Sequence, residues 1–279
     1  IKGLKMNEKK ISDEIIISFY TKEPISMEHC AKHFNLCSVT ISRTLKRNNI
    51  HIWSRQELKQ KELNVNFFKE IDTEEKAYFL GLIFTDGCVF NNVDNNNSLL
   101  VSIQLQKQDG YLIEKFKEVT KAPRKIVIDK RDGSKSITIV NNVFVNNLIN
   151  HGVKIHKENR VFIPINSNLQ HHFIRGLFDG DGSFYRTNHF NLMLCGHSYF
   201  HDIYNFIIKT LNMNSVKVSF TDNTYNCKWG SKKDVISFAN YIYKDATIYL
   251  ERKFNEFKKY NLIHANTEVN TESNTSVSP

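Results

Sequence analysis

The 279 residues are enough for two domains, and with 41% hydrophobic and 12% aromatic residues the chain can bury real cores, which excludes a disordered polymer. A net charge of +9 favours a polyanionic partner. No window approaches the roughly 18 apolar residues that span a bilayer, no signal peptide opens the chain, and five scattered cysteines (Cys30, Cys37, Cys88, Cys195, Cys227) suit reduced thiols in an intracellular protein.

Taken in chain order, residues 1–56 read as short helices, with Met6 a candidate start. Ile11, Ile15, Ile16 and Phe19 share one helical face. Ser26 can cap a second helix carrying Glu28, His29, Ala31 and Phe34. Asn35-Leu36-Cys37 breaks the pattern, and Ser38 is expected to cap a third helix, SVTISRTLKRNN. There Val39, Ile41 and Leu45 are expected to pack inward while Thr40, Ser42, Arg43, Lys46 and Arg47 face out. Helix, tight turn, helix with a cationic face is the helix-turn-helix arrangement, and it predicts a DNA-binding module. His29 and His33, with Cys30 and Cys37, lack a second ligand pair at zinc spacing and are expected to pack or be solvated, as are His197 and His201. Residues 57–73 are polar and read as a linker.

From residue 74 one unit is traversed twice. Glu74–Thr85 predicts a helix ending in Asp86-Gly87; CVF, the loop NNVDNNN and the alternating LLVSIQLQ follow. DGYLIEKFKEVT predicts a helix, RKIVIDK and SKSITIV a hairpin across Asp132-Gly133, and NVFVNNLINHG a closing helix. The second copy keeps that order: a helix ending at Asp181-Gly182, strands SFYRTNH and FNLMLC, helix SYFHDIYNFIIKTLNM, hairpin strands SVKVSF and YNCKWG, and helix KKDVISFANYIY. ATIYLERKFNEFKKY adds a helix without a counterpart. The two acids lie one repeat apart (181 − 86 = 95). The expected fold class is therefore α+β, two pseudo-symmetric α-β-β-α-β-β-α repeats (74–165 and 166–262) beside a small all-α helix-turn-helix domain, with a polar tail, 263–279, expected to be disordered.

Gly81 with Thr85, and Gly176 with Gly180, set small residues at i, i+4, so the two repeat helices can pack backbone against backbone. Each would then deliver its terminal aspartate, Asp86 or Asp181, to a shared place. A carboxylate at a helix C-terminus is disfavoured by about 0.3–1 kcal/mol, and two of them repel. A divalent cation between them answers both penalties, and hard oxygens suit Mg²⁺. Gly87 and Gly182 are expected in left-handed geometry, turning the chain sharply into a strand.

FLGLIFTDG (Phe79–Gly87) and IRGLFDGDG (Ile174–Gly182) resemble the two motifs of the LAGLIDADG homing endonucleases of the single-chain type, over roughly residues 74–262. The late IYLERKFNEF fits as well, while Phe84 and Thr85 depart from the pattern in the first copy. The resemblance implies a monomeric saddle of two antiparallel sheets straddling a long, specific site on double-stranded DNA, encoded within an intron. It implies hydrolysis of phosphodiester bonds with Mg²⁺, or Mn²⁺ in its place, held by Asp86 and Asp181 and by the backbone carbonyls of Thr85 and Gly180. Asp179, at the motif's earlier acid position, reads as a helix-flank residue. The family also sets a polar residue and a lysine near each scissile phosphate. Gln106 matches the polar position in the first repeat and Cys195-Gly196-His197 stands there in the second; Lys228 is the lysine of the second repeat and Lys135 the weaker candidate of the first. Arg124, Lys130, Arg131, Arg186, Lys217 and Lys228 lie on or beside strands that would face DNA, where most cations position phosphate and some arginines read guanine. Two other readings share this pattern: an RNA maturase assisting splicing, and a catalytically inactive DNA-binding regulator. Loss of the motif acids would mark the regulator, and both acids are present.

Overall fold

A computed structural model describes residues 11–22, 24–54, 57–58, 62–92 and 98–263; Met6, the heart of the asparagine loop (93–97) and the tail beyond Ile263 lie outside them. The chain divides into two compact units, residues 1–64 with 121–123, and residues 65–120 with 124–279. Among the described residues no helix is long and apolar enough to cross a membrane, and all five cysteines are free thiols.

In the first unit, α1 (Asp13–Lys22), α2 (Met27–Phe34) and α3 (Ser38–Arg47) close on a core of Ile16, Tyr20, Cys30, Ala31, Ile41 and Leu45. Ser26 accepts from the His29 amide at 3.0 Å to start α2, and Asn35, at φ 52°, ends it in the left-handed region. The helical phase departs from expectation at Val39 and Ile15, which are 55% and 54% exposed, while Thr44 and Tyr20 are buried instead. Val39 precedes Ile41 by two residues, about 200° around the helix, so both cannot face the core. Cys37 rather than Ser38 is the N-cap residue of α3; it makes no cap bond to the backbone, and its Sγ lies 3.1 Å from the Thr40 hydroxyl. His33 stacks on Phe19 at 3.9 Å, and no group of three or more His, Cys, Asp or Glu among the described residues could hold a metal.

The second unit holds the repeats. α4 (Glu74–Asp86), β1 (Gly87–Asn92), β2 (Ser98–Leu105), α5 (Tyr111–Thr120), β3 (Val127–Ile128), β4 (Lys135–Val140) and α6 (Asn142–Asn150) form the first. α7 (Gln170–Asp181), β5 (Ser183–Arg186), β6 (Phe190–Gly196), α8 (Phe200–Leu211), β7 (Val218–Thr221), β8 (Thr224–Trp229) and α9 (Lys232–Ile242) form the second, and α10 (Glu251–Lys259) follows. Each repeat contributes one antiparallel sheet, in the orders β1-β2-β4-β3 and β5-β6-β8-β7. Alternation turns Val101, Ile103, Ile137 and Ile139 of one sheet, and Leu192, Leu194, Cys227 and Trp229 of the other, into the core. α5, α6, α8 and α9 offer Phe116, Phe144, Ile207 and Phe238 to that core. Phe67 and Phe68, inside the stretch expected as linker, are buried as well, Phe68 with its ring 5.4 Å from Phe144.

α4 and α7 are the central pair; every residue from Ala77 to Thr85 and from Gln170 to Asp179 is buried. Their backbones touch through the paired glycines. A Cβ on Gly81 would lie 2.1 Å from the Phe173 carbonyl oxygen, and one on Gly176 would lie 2.1 Å from that of Tyr78.

Candidate metal and nucleic-acid site

Asp86 and Asp181 are the last residues of α4 and α7, and the glycine contact makes these helix ends neighbours. A Cβ built on Gly180 would sit 1.9 Å from Thr85 Oγ1 and 3.3 Å from Asp86 Oδ2, so the Asp86 carboxylate reaches the end of the opposite helix. Burial, then the charge of Asp181, pushes Asp86 up to about 6; burial raises Asp181 too. Gly87 and Gly182 do not adopt the expected left-handed geometry. Both are extended, at φ −75° and −85°. Glycine is needed for room: a Cβ on Gly182 would meet the Phe178 ring at 2.2 Å, and one on Gly87 the Ile83 carbonyl at 2.5 Å.

Each helix end is closed by buried or half-buried cations. Arg160 donates to the carbonyls of Ile83 (3.2 Å), Phe84 (2.5 Å) and Gly87 (2.8 Å), and Lys157 Nζ to that of Thr85. In the second repeat Lys253 Nζ alone donates to Phe178 (2.7 Å), Asp179 (2.7 Å), Gly180 (3.4 Å) and Gly182 (2.5 Å). The four carbonyls correspond one for one at the 95-residue repeat distance (178 − 83 = 95). These are the orphan carbonyls of a helix C-terminus, where positive charge is favourable. The cations thus offset part of the penalty of ending both helices in aspartate. Burial lowers the Lys253 ammonium to about 8. Lys253→Met would leave that set of carbonyls without its donor, and we expect a loss of about 2–4 kcal/mol, measured as a lower urea midpoint.

Thr85 and Gly180 offer less to a metal than expected, since an ammonium already occupies one lone pair on each carbonyl. The two carboxylates remain a suitable donor pair. Among the described residues no side chain hydrogen-bonds or ion-pairs with either of them, and Asp86 stands in the field of Asp181, a situation a divalent cation relieves. Asp179 is fully buried, accepting from Tyr78 Oη (2.9 Å) and the Leu250 amide (2.8 Å), which binds α4, α7 and the approach to α10 together.

Register sorts the remaining candidates. Gly87 pairs with Ile103 and Ser183 with Met193; continuing each ladder toward the helices brings Gln104 level with Asp86 and Cys195 level with Asp181. Cys195 Sγ indeed donates to the Asp181 carbonyl at 2.8 Å. Gln106 lies just past the end of β2, its side-chain oxygen accepting from Gln108 at 3.2 Å, while Gln104 stands on β2 level with Asp86. Lys228 stands exposed on the helix-free face of its sheet, opposite Met193, and Lys217 would extend β7 alongside it. Lys135 belongs to the other face. It shares the side of β4 with Ile137 and Ile139 and pairs with Glu114 of α5 at 2.5 Å. Arg186 is likewise on the helix side, beside Phe184, its guanidinium over the rings of Phe190 (5.1 Å) and Tyr260 (5.2 Å). Arg124 and Lys130 are exposed, and exposed Arg131 pairs with Asp129 at 2.7 Å. On α3, Thr40, Arg43, Lys46 and Arg47 are exposed, Ser42 is half-buried, and Arg47 pairs with Asp13. Lys157, Arg160 and Lys253 were not foreseen as site residues; they stand far from the motifs in sequence, and only the motif copies' shared need for C-terminal partners points toward them.

No family model matches the chain, and no curated protein matches it significantly. Solved structures are similar at low identity. The I-LtrWI LAGLIDADG homing endonuclease bound to target DNA is 12% identical, with a TM-score of 0.47 over 71% of this chain and 90% of that one. The LAGLIDADG meganuclease I-AabMI bound to uncleaved DNA is 14% identical, with a TM-score of 0.47 over 66% of this chain and 86% of that one. The meganuclease I-SmaMI bound to uncleavable DNA is 11% identical, with a TM-score of 0.49 over 66% and 88%. In FLGLIFTDG and IRGLFDGDG, one at each of its paired helix ends, the chain resembles the single-chain LAGLIDADG homing endonucleases.

Proposed function

We propose that this protein is a site-specific double-strand DNA endonuclease that acts as a monomer and hydrolyses one phosphodiester bond in each strand at the meeting of α4 and α7. The observation that carries the reading is the convergence of two carboxylates, Asp86 and Asp181, which no side chain among the described residues hydrogen-bonds or ion-pairs, at the ends of two helices in backbone contact. Each helix leads directly into a sheet with one face free of helices, and the chain carries a net charge of +9. A Mg²⁺ ion held by the two aspartates would activate water and neutralise charge on the phosphate. The protein's own groups do the rest. Lys253 and Arg160 fix the helix ends, Gln104 and Cys195 stand level with the acids, and Lys228 offers an ammonium to phosphate from the second sheet. Water oxygen bonds to phosphorus as the bond to the departing sugar oxygen breaks, and that oxygen leaves with a proton.

The purified protein with Mg²⁺ is expected to cut a duplex carrying the uninterrupted form of its own insertion site, and EDTA to stop it. Tight binding to that duplex without a nick under any divalent metal would instead establish the regulator.

In the first unit, α3 is proposed as a second DNA contact through Arg43 and Lys46. Removing residues 1–60 is expected to shorten the footprint on the duplex and weaken binding by about tenfold, while cleavage at saturating protein survives. An unchanged footprint would assign the module a structural role only.

A further inference from the structure

The helix-free faces of the two sheets differ in chemistry. In the first repeat Lys135 is the one charged residue among the described positions of β1 to β4, and it lies on the helix side with Glu114. The free face of that sheet is therefore uncharged. Its polar groups bond largely within the sheet: the Thr138 hydroxyl donates to Ser102 Oγ at 3.0 Å, and Gln104 Nε2 donates to Ser134 Oγ at 2.8 Å.

Across the same face runs an apolar rung. Phe90 is level with Leu100, and Leu100 with Val140. Phe90 is 47% exposed, and Leu100 and Val140 are half-buried. Core packing does not call for this phenyl group, because the neighbouring Val89, on the other face, already fills that place at 2% exposure. One repeat length on (185 − 90 = 95) stands Tyr185, level with Asn191, so the second sheet carries a polar pair at the matching rung. The apolar rung belongs to the first half alone.

Such a rung leaves the donors and acceptors of a base edge without partners, a costly arrangement once water is excluded. The one apolar group a base pair shows in the major groove is the 5-methyl of thymine. The face is continuous with the candidate site, since β1 begins at Gly87, next to Asp86. Phe90 lies four residues past that acid (90 − 86 = 4). At a strand rise of about 3.3 Å this is about 13 Å, or roughly four base pairs of duplex at about 3.4 Å each.

We infer that Phe90, Leu100 and Val140 read the 5-methyl group of thymine in the half of the target bound by the first repeat, about four base pairs from the point of cleavage. The inference deepens the nuclease reading and rests on it for the face that meets the duplex.

Duplexes retained by the protein from a randomised pool in EDTA, where nothing is cut, put this to the test. Thymine is expected to be enriched about four base pairs to one side of the centre and not to the other. Deoxyuridine, which lacks only that methyl, should weaken wild-type binding about fourfold at an enriched position. There 5-methylcytosine should bind more tightly than cytosine. Phe90→Ala should bind the thymine and uracil duplexes equally. The uracil comparison needs no variant, so it decides even where Phe90→Ala melts early. A wild type indifferent to the methyl at every enriched position, or a folded Phe90→Ala that keeps the full discrimination, overturns the inference. Adding Mg²⁺ tests the nuclease separately. Selected duplexes that lose affinity with uracil yet are never nicked uphold the methyl contact and overturn the nuclease reading. Cutting with no effect of the methyl overturns the inference alone, and a pool from which nothing is retained overturns both.

Discussion

Asp181→Asn is expected to abolish cleavage of both strands and, in EDTA at neutral pH, to leave the protein more heat-stable than the wild type. Asp86→Asn should do the same. Burial raises both acids, and Asp86 titrates near 6 in the folded protein. A carboxyl whose folded pKa is raised binds its proton more tightly folded than unfolded, so stability is highest below the unfolded pKa and falls as pH rises through the window from about 4 to 6. Above that window the ionised pair is a standing cost, and removing one charge recovers about 1–3 kcal/mol. Melts in EDTA at pH 5 and pH 7.5 read this directly. The buried His171 and His172, which burial holds down, act alike in both proteins, so the advantage of Asp86→Asn over the wild type should be larger at pH 7.5 than at pH 5. Mg²⁺ should raise the wild-type midpoint and leave the variants unmoved. A variant that melts lower than wild type at pH 7.5, or that still cuts, would separate these acids from the role assigned to them.

Gly176→Ala is expected to cost about 3 kcal/mol or more and to impair cleavage beyond its effect on folding. Its Cβ would meet backbone atoms, the Tyr78 carbonyl at 2.1 Å and the Leu82 amide at 2.8 Å, which no rotamer change can clear. The helices would have to separate by about an ångström in a close-packed core, and a displacement of that size at reacting groups costs about 100-fold in rate. Gly81→Ala should behave alike, since it meets the Phe173 carbonyl at 2.1 Å. Gly230→Ala is the control; its Cβ finds only the Phe190 carbonyl at 3.4 Å and should change the urea midpoint little. A tolerated Gly176→Ala would mean that the helix contact is looser than the glycines imply.

The element order of both repeats could be read from the sequence because two motif copies fix each other's phase at 95 residues, and each acid falls where an apolar helix meets strand alternation. What went astray depended on parity or on distance. Lys135 and Arg186 sit on recognisable strands, but a strand shows opposite faces to alternate residues, and only the register with Leu105 and Phe190 tells which face each takes. Asp-Gly carries turn chemistry, which suggested left-handed glycines; the actual constraint is the preceding helical turn, folded back against Gly87 and Gly182. Lys253 reaches α7 from beyond a whole sheet, and no local pattern contains that contact.

That last contact also fixes when the centre can come into being. The donor for the second helix end arrives 72 residues after its acid (253 − 181 = 72), on the last helix described. A ribosome that has already delivered both aspartates has therefore not yet delivered a finished site. A polypeptide cut short ahead of Lys253 would carry both motifs with one helix end open. If the chain is the nuclease proposed above, cleavage competence would arrive only with that last helix, and translation products abandoned ahead of it would not be loose nucleases.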